Sequence, residues 1–265
     1  MRSLKHSGGT ARLPVSGLAL VVRQPTGEDD LNLREARLPV RALARTLAGR
    51  LAITGEGLPL EADSLCITDL QALLMRIRQA LAGDVIVAEV RCRAGGCGAR
   101  VDISFHVSEY LQSALPRMPR GVARGEGGWF LLRDGAARFR LPNGADLAAV
   151  ESQPKPDLEL MRRCSEPAEL PAPVRRRIEK AMESLAPPLS RPLAGTCPEC
   201  GKTVEAFFDV EEYVVRELRQ RAAAIYQDVH LLAFHYKWSE AQILALPYRR
   251  RMEYVELLQS QGATV

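Results

Sequence analysis

The chain contains no apolar run approaching the roughly 18 residues that a membrane-spanning helix needs, and Met1–Leu20 lacks the charged and apolar regions of a secretory leader. It also lacks charge of one sign. Its 36 Lys and Arg against 32 Asp and Glu leave a formal net charge of +4, too balanced to argue for nucleic acid as a partner. No glycine-rich phosphate loop or nucleophile elbow occurs, and the carboxylates follow a solvent-facing pattern, so no catalytic site is visible. Histidine is scarce, with four in 265 residues. His6 lies in the N-terminal stretch. His106 falls at a strand end near the first cysteine pair, where it is an alternative ligand but more simply structural. His230 and His235 are five apart, on different helix faces, which argues against a paired metal site. These absences predict a soluble, cytoplasmic, non-enzymatic protein with no membrane segment and no small-molecule substrate.

Six cysteines are present, and four carry the strongest pattern. In a reducing compartment, clustered cysteine pairs hold metal more readily than they bridge. The segment VRCRAGGCGARVDISFHVSEY contains Cys92, Cys97 and Gly98, and GTCPECGKTVEAFFDVEEY contains Cys197, Cys200 and Gly201. Both run Cys, Cys-Gly, a β-like stretch with Val and Phe, one or two acidic residues, then a Tyr that opens a helix. Two pairs of thiols complete the closed four-thiolate set of structural zinc, a borderline-soft ion, with no open position for water or substrate. Gly98 and Gly201 suit the tight turn that folds the chain back around a metal. Cys92, Cys97, Cys197 and Cys200 are therefore expected to share one structural Zn2+. The alternatives are reduced thiols left from an ancestral site and, less favoured, a redox pair. Cys66 and Cys164 sit among apolar residues and read as core.

Length and a 46% hydrophobic content allow one large or two modest domains. Periodicity and turn chemistry predict an α+β fold: two zinc-knuckle or ribbon-like β units with flanking helices, an inserted β-hairpin and a helical C-terminal arm. Residues 1–17 read as a flexible tail and 18–115 as the first unit, with a strand over Leu18–Gln24, a turn at Pro25-Thr26-Gly27 and helices over Leu38–Leu51 and Thr68–Ala82. Residues 116–170 read as linker, with an Asp134-Gly135 hairpin ended by Asn143-Gly144 and a helix over Pro156–Cys164. Residues 171–236 read as the second unit, with a long helix capped by Asp209 and running to Tyr236. Residues 237–265 form the arm, entered through a capping box, Ser239-x-x-Gln242, with Pro247 opening the last helix. The matched order of helix, thiol pair, return strand and helix signals duplication at a period of roughly 100 residues. The runs Arg175–Arg177 and Arg249–Arg251 read as solvated faces.

The string Phe208–Leu258 resembles the C-terminal part of the baseplate hub assembly chaperone family of T-even-like contractile tails, found in phages, prophages and tail-like injection systems. The matching pieces are Cys197-Pro198-Glu199-Cys200-Gly201, Asp228-Val229-His230, Tyr236-x-Trp238-Ser239-Glu240, Ile243–Leu246 and Arg249-Arg250 ahead of Tyr254. Upstream, Gln24–Asp29, the Ile67–Gly83 helix, Arg138–Pro142 and Ala145–Leu147 also look like the family. The longer first cysteine spacing and the Pro116–Gly128 insertion depart from it. The resemblance implies a non-enzymatic baseplate assembly factor with hub or wedge proteins as partners. Tyr236, Trp238, Tyr248, Arg249, Arg250 and Tyr254 are then candidate partner-binding residues, the aromatics as anchors. Equally, Trp238 can staple the last two helices together. The rival from another class is a zinc-ribbon nucleic-acid-binding regulator, separable by salt-dependent binding.

Overall fold

The computed structural model describes residues 10–260 and residue 262; His6 and the rest of residues 1–9 lie outside the described residues. Two passes through one order of elements make up most of the chain. In the first, β1 (Thr10–Arg12) and β2 (Ala19–Val22) pair, α1 (Gly27–Glu35) and α2 (Val40–Leu51) follow, and β3 (Ala52–Thr54) returns to β2. Then come α3 (Ile67–Ala82), the hairpin β4 (Val85–Arg91) and β5 (Arg100–His106), and α4 (Val107–Gln112). The second pass adds an edge strand, β6 (Val122–Arg124), and then repeats the order. It runs through β7 (Trp129–Leu132), β8 (Arg138–Arg140), α5 (Gly144–Val150), α6 (Pro156–Cys164), β9 (Ser165–Glu166) and α7 (Ala172–Leu185), and ends in the hairpin β10 (Arg191–Thr196) and β11 (Thr203–Phe208), then α8 (Val210–Ala222). The helices α9 (Ile225–Tyr236), α10 (Glu240–Leu244) and α11 (Tyr248–Ser260) complete an α+β fold whose small sheets are all antiparallel.

The repetition extends to single side chains. β2 leads into Arg23-Gln24-Pro25-Thr26-Gly27-Glu28-Asp29, and β8 leads into Arg140-Leu141-Pro142-Asn143-Gly144-Ala145-Asp146. Asp29 accepts the Thr26 N–H at 2.9 Å and Asp146 accepts the Asn143 N–H at 3.1 Å, so each helix starts with a carboxylate closing back on its cap. The same carboxylates take both arms of the preceding arginine: Arg23 reaches Asp29 at 2.7 and 2.8 Å, and Arg140 grips Asp146 in the same two-armed way. Another segment passes close to each glycine. A Cβ added to Gly27 would lie 2.9 Å from Leu244 Cα, and one on Gly144 would lie 3.2 Å from Asp63 Cα. Gly27 N–H donates to Leu246 and Gly144 N–H to Leu65, so each turn seats the entry to another helix, α11 in one case and α3 in the other.

Four apolar clusters hold these parts, the fourth of them formed by Cys92, Val101, Cys197 and Val204 at the hairpin ends. The first joins α2 and α3 with α8 of the second pass, burying Leu47, Leu73, Leu74, Val214 and Leu218. The second lies between the β6–β9 sheet and α7, around Phe139 and Ile178; the third joins α9, α10 and α11 through Leu232, Ile243 and Val255.

Several expectations change. Residues 10–17 are not a tail: β1 pairs with β2, Leu13 is buried, and the Val15 and Ser16 amides donate to buried Asp69 at 2.8 and 2.9 Å. The 116–170 linker contains β6, because Val122 completes the second cluster. α7, read with the second cysteine unit, packs on that inserted sheet instead. Pro25-Thr26-Gly27 and Asn143-Gly144 start helices rather than merely turning the chain. The expected long helix is broken at Ala223-Ala224, a two-residue turn between α8 and α9. α8 serves the first cluster and α9 the third, and one straight rod cannot face both.

Candidate metal centre

Each thiol pair sits at the end of a two-stranded hairpin. Backbone bonds draw the strand ends together: Cys92 N–H donates to Ala99 at 2.8 Å and Cys197 N–H donates to Lys202 at 2.9 Å. Gly98 and Gly201 follow with φ of 66° and 69°, left-handed geometry that a side chain disfavours. From the second thiol onward the two passes correspond at a constant interval of 103 positions. Cys97 matches Cys200, Val101 matches Val204, Phe105 matches Phe208, Val107 matches Val210 and Tyr110 matches Tyr213.

The hairpins pack crosswise, β5 against β10 and β4 against β11. The four rings of Phe105, Tyr110, Phe208 and Tyr213 lie behind them, with Phe105 and Phe208 edge-on at 5.3 Å. That crossing brings the first thiol of each pair against the second thiol of the other. Cys92 Sγ lies 3.7 Å from Cys200 Sγ, Cys97 Sγ lies 3.8 Å from Cys197 Sγ, and all four sulfurs fall within 4.8 Å of one another. A tetrahedron of sulfurs around zinc with bonds of about 2.3 Å has edges of about 3.8 Å. The quartet thus has the donor set and spacing suited to a metal such as Zn2+, and none of the four is in a disulfide.

The thiols are electrostatically unequal. Burial opposes ionisation of Cys197, but the amides of Cys200 and Glu199 and the neighbouring thiols of Cys200 and Cys97 draw it down to about 7. Cys97 is favoured as a thiolate by the Ala99 amide, yet burial and the thiols of Cys200, Cys197 and Cys92 together push it up to about 12. Four adjacent thiols cannot all ionise unless a cation joins them.

His106 stands apart from the quartet, with Nδ1 3.3 Å from Asp84. Cys164 is fully buried, as expected, while Cys66 is only half-buried at the start of α3. Both are pushed up to about 12, chiefly by burial, which leaves them inert.

The six C-terminal residues expected to face a partner divide in two. Tyr236, Trp238 and Tyr254 are half-buried against one another; Trp238 stacks on Tyr236 at 4.8 Å and meets Tyr254 edge-on at 5.0 Å. Tyr248 sits at the start of α11 between the guanidiniums of Arg221 and Arg251, with Arg249 and Arg250 exposed beside it.

Sequence reasoning missed the buried charges. Asp29, Asp30, Asp69, Asp146 and Asp228 are all buried rather than solvated, and so is Arg251 of the run taken for a surface face. The caps were readable: Thr or Asn three residues before Asp is a helix-start signal in both passes. Nothing local distinguishes Arg251 from Arg249 and Arg250.

No helix among the described residues is long and apolar enough to cross a membrane. No protein-family model matches the sequence, no curated protein matches it, and no solved structure matches the chain.

Proposed function

We propose that the protein is a non-enzymatic assembly factor or structural component of a contractile-tail baseplate, whose two hairpin units are zinc knuckles clasping one structural Zn2+. The observation that carries the metal reading is the crosswise sulfur spacing of 3.7 and 3.8 Å. Cys92, Cys97, Cys197 and Cys200 would hold the ion, and four thiolates leave no position for an activated water. The metal then supplies folding energy and fixes the angle between the two passes. What supports the assembly role is the family-like run from Phe208 to Leu258, which occupies α8 to α11. Hub or wedge proteins of the tail are the partners this reading names, and of the six candidate contacts Arg249 and Arg250 are exposed while the four aromatics are half-buried.

Two measurements test the two halves. Metal analysis with X-ray absorption on the purified chain is expected to give one zinc with four sulfur neighbours; oxygen or nitrogen in that shell, or no metal, sinks the clasp. Co-expression of the chain with hub and wedge proteins from its own genome is expected to give a complex that survives size exclusion. Absence of tail genes around its locus, or no complex with any of their products, sinks the assembly role.

A further inference from the structure

The two passes leave clefts at equivalent places. The first, about 450 Å³, is lined by Arg23, Gln24 and Pro25 after β2, Leu81 at the end of α3, and Tyr248 and Arg249 at the start of α11. The second, about 230 Å³, is lined at matching positions by Leu141 and Pro142 after β8, Glu183 near the end of α7, and Ile67 and Thr68 at the start of α3. The cleft is therefore a product of how the unit packs, and its lining has diverged. Where the second cleft has Leu141 and Thr68, the first has Gln24 and Arg249.

The first cleft carries a surplus of positive charge. Arg23 and Arg50 share the single carboxylate of Asp29, while Arg221 and Arg251 share Asp30, with Asp228 also bonded to Arg251. Among the described residues, Arg249 is exposed with no hydrogen bond or ion pair, and no carboxylate lines the cleft. Of the two guanidiniums that line the cleft, Arg23 is paired with Asp29 and Arg249 is not paired. The remaining wall is apolar, supplied by Pro25, Leu81 and the Tyr248 ring.

We infer that this cleft is a docking site for a carboxylate-bearing, apolar segment of a partner protein. A guanidinium that lacks a partner meets a carboxylate in a two-pronged, charge-assisted pair. Beside it, Pro25, Leu81 and Tyr248 receive an aliphatic or aromatic side chain, and the volume lies in the range of specific ligand clefts. A nucleic-acid strand fits less well: it needs a track of free cations and open aromatic faces, whereas the Tyr248 ring already lies 4.4 Å from the Arg221 guanidinium and 5.5 Å from that of Arg251. The inference stands whether or not the partner belongs to a tail baseplate.

The test is selection from a random displayed peptide library against the full chain, followed by titration of the enriched peptides into wild type, Arg249→Glu and Ala80→Trp. Ala80 lines the cleft and, like Arg249, is exposed, so both variants are expected to keep the wild-type melting temperature. Enriched peptides should pair Asp or Glu with a large apolar residue, bind more weakly at high salt, and lose about tenfold or more in affinity to both variants. Enrichment of peptides without carboxylates, undiminished binding to the two variants, or no enrichment at all would overturn the inference. So would a single-stranded oligonucleotide that binds wild type more tightly than the peptides and is lost in Arg249→Glu.

Discussion

Asp30 of α1 and Arg251 of α11 form an ion pair in full burial, although 221 positions separate them in sequence. Arg251 also donates through Nε to Asp228 of α9 at 3.1 Å, and Arg221 of α8 donates to Asp30 at 3.2 Å. Two carboxylates and two guanidiniums therefore tie four helices together. The C-terminal helices are docked on the first pass by this network and by backbone hydrogen bonds from Gly27 N–H to the Leu246 carbonyl and from Tyr248 N–H to the Pro25 carbonyl.

Removing one partner of a buried pair strands the other charge. Arg251→Met is expected to cost about 3–5 kcal/mol in urea unfolding and to expose α9–α11 to limited proteolysis. A loss below about 1 kcal/mol, within the range of a surface pair, would show that the network does not hold the helices.

Asp29 gives a pH signature. Burial raises its carboxyl, but Arg23, the Thr26 amide and Arg50 overcome that and hold it below the ordinary carboxylate range. A depressed folded value stabilises above the unfolded value of about 3.9, and that stabilisation is lost as pH falls through the folded one. Asp29→Asn should therefore be less stable than wild type by about 2 kcal/mol at pH 7, with the gap closing below about pH 4. A gap that persists unchanged at pH 3 contradicts the assignment.

Gly201→Ala places a methyl group at φ 69°, with nothing within 4 Å for it to strike, so the cost is backbone strain alone. About 1–2 kcal/mol of stability is expected to go, with a matching fall in metal affinity measured by competition with a chromophoric chelator. Gly201→Asn should recover part of both, since Asn tolerates left-handed geometry better.

Metal removal should loosen the contact between the hairpins more than either hairpin itself. Chelation, or Cys197→Ser with Cys200→Ser, is expected to lower the melting temperature. It should also raise amide exchange at Val101, Val204 and the strand ends, while Leu73 and Val214 stay protected. An unchanged melting temperature would remove the clasp.

Trp238→Ala separates anchor from staple. Its stacking on Tyr236 and edge-on contact with Tyr254 predict a loss of about 2 kcal/mol for this half-buried ring. Full stability with lost partner binding would make it an anchor instead.

The sequence made some of this legible and hid the rest for identifiable reasons. The helix over Ile67–Ala82 with Gly83 behind it, the return strands at Val101 and Val204, and the capping box at Ser239 were readable because each depends on residues within a few positions. The four cysteines were readable because closely spaced cysteine pairs are a recognisable pattern. That the pairs meet crosswise was not, since pairing across 100 positions leaves no local trace. The full extent of the repeat was hidden too. The Arg–Pro–cap–Gly–Asp turn recurs at Arg23 and Arg140, an interval of 117, while the cysteine units recur at 103, so no single period exposes both. Arg251 illustrates the last limit: three adjacent arginines look alike until α1 supplies an aspartate to one of them.

The crosswise sulfurs also set a timetable. Cys92 waits for Cys200, 108 positions later, and Cys97 waits for Cys197. At about 5–20 residues per second the ribosome needs on the order of ten seconds to bridge that interval. Through it, the first hairpin carries two reduced thiols with no partners of its own. Oxidants or competing metals in the cell can reach those sulfurs during synthesis more easily than at any time afterwards.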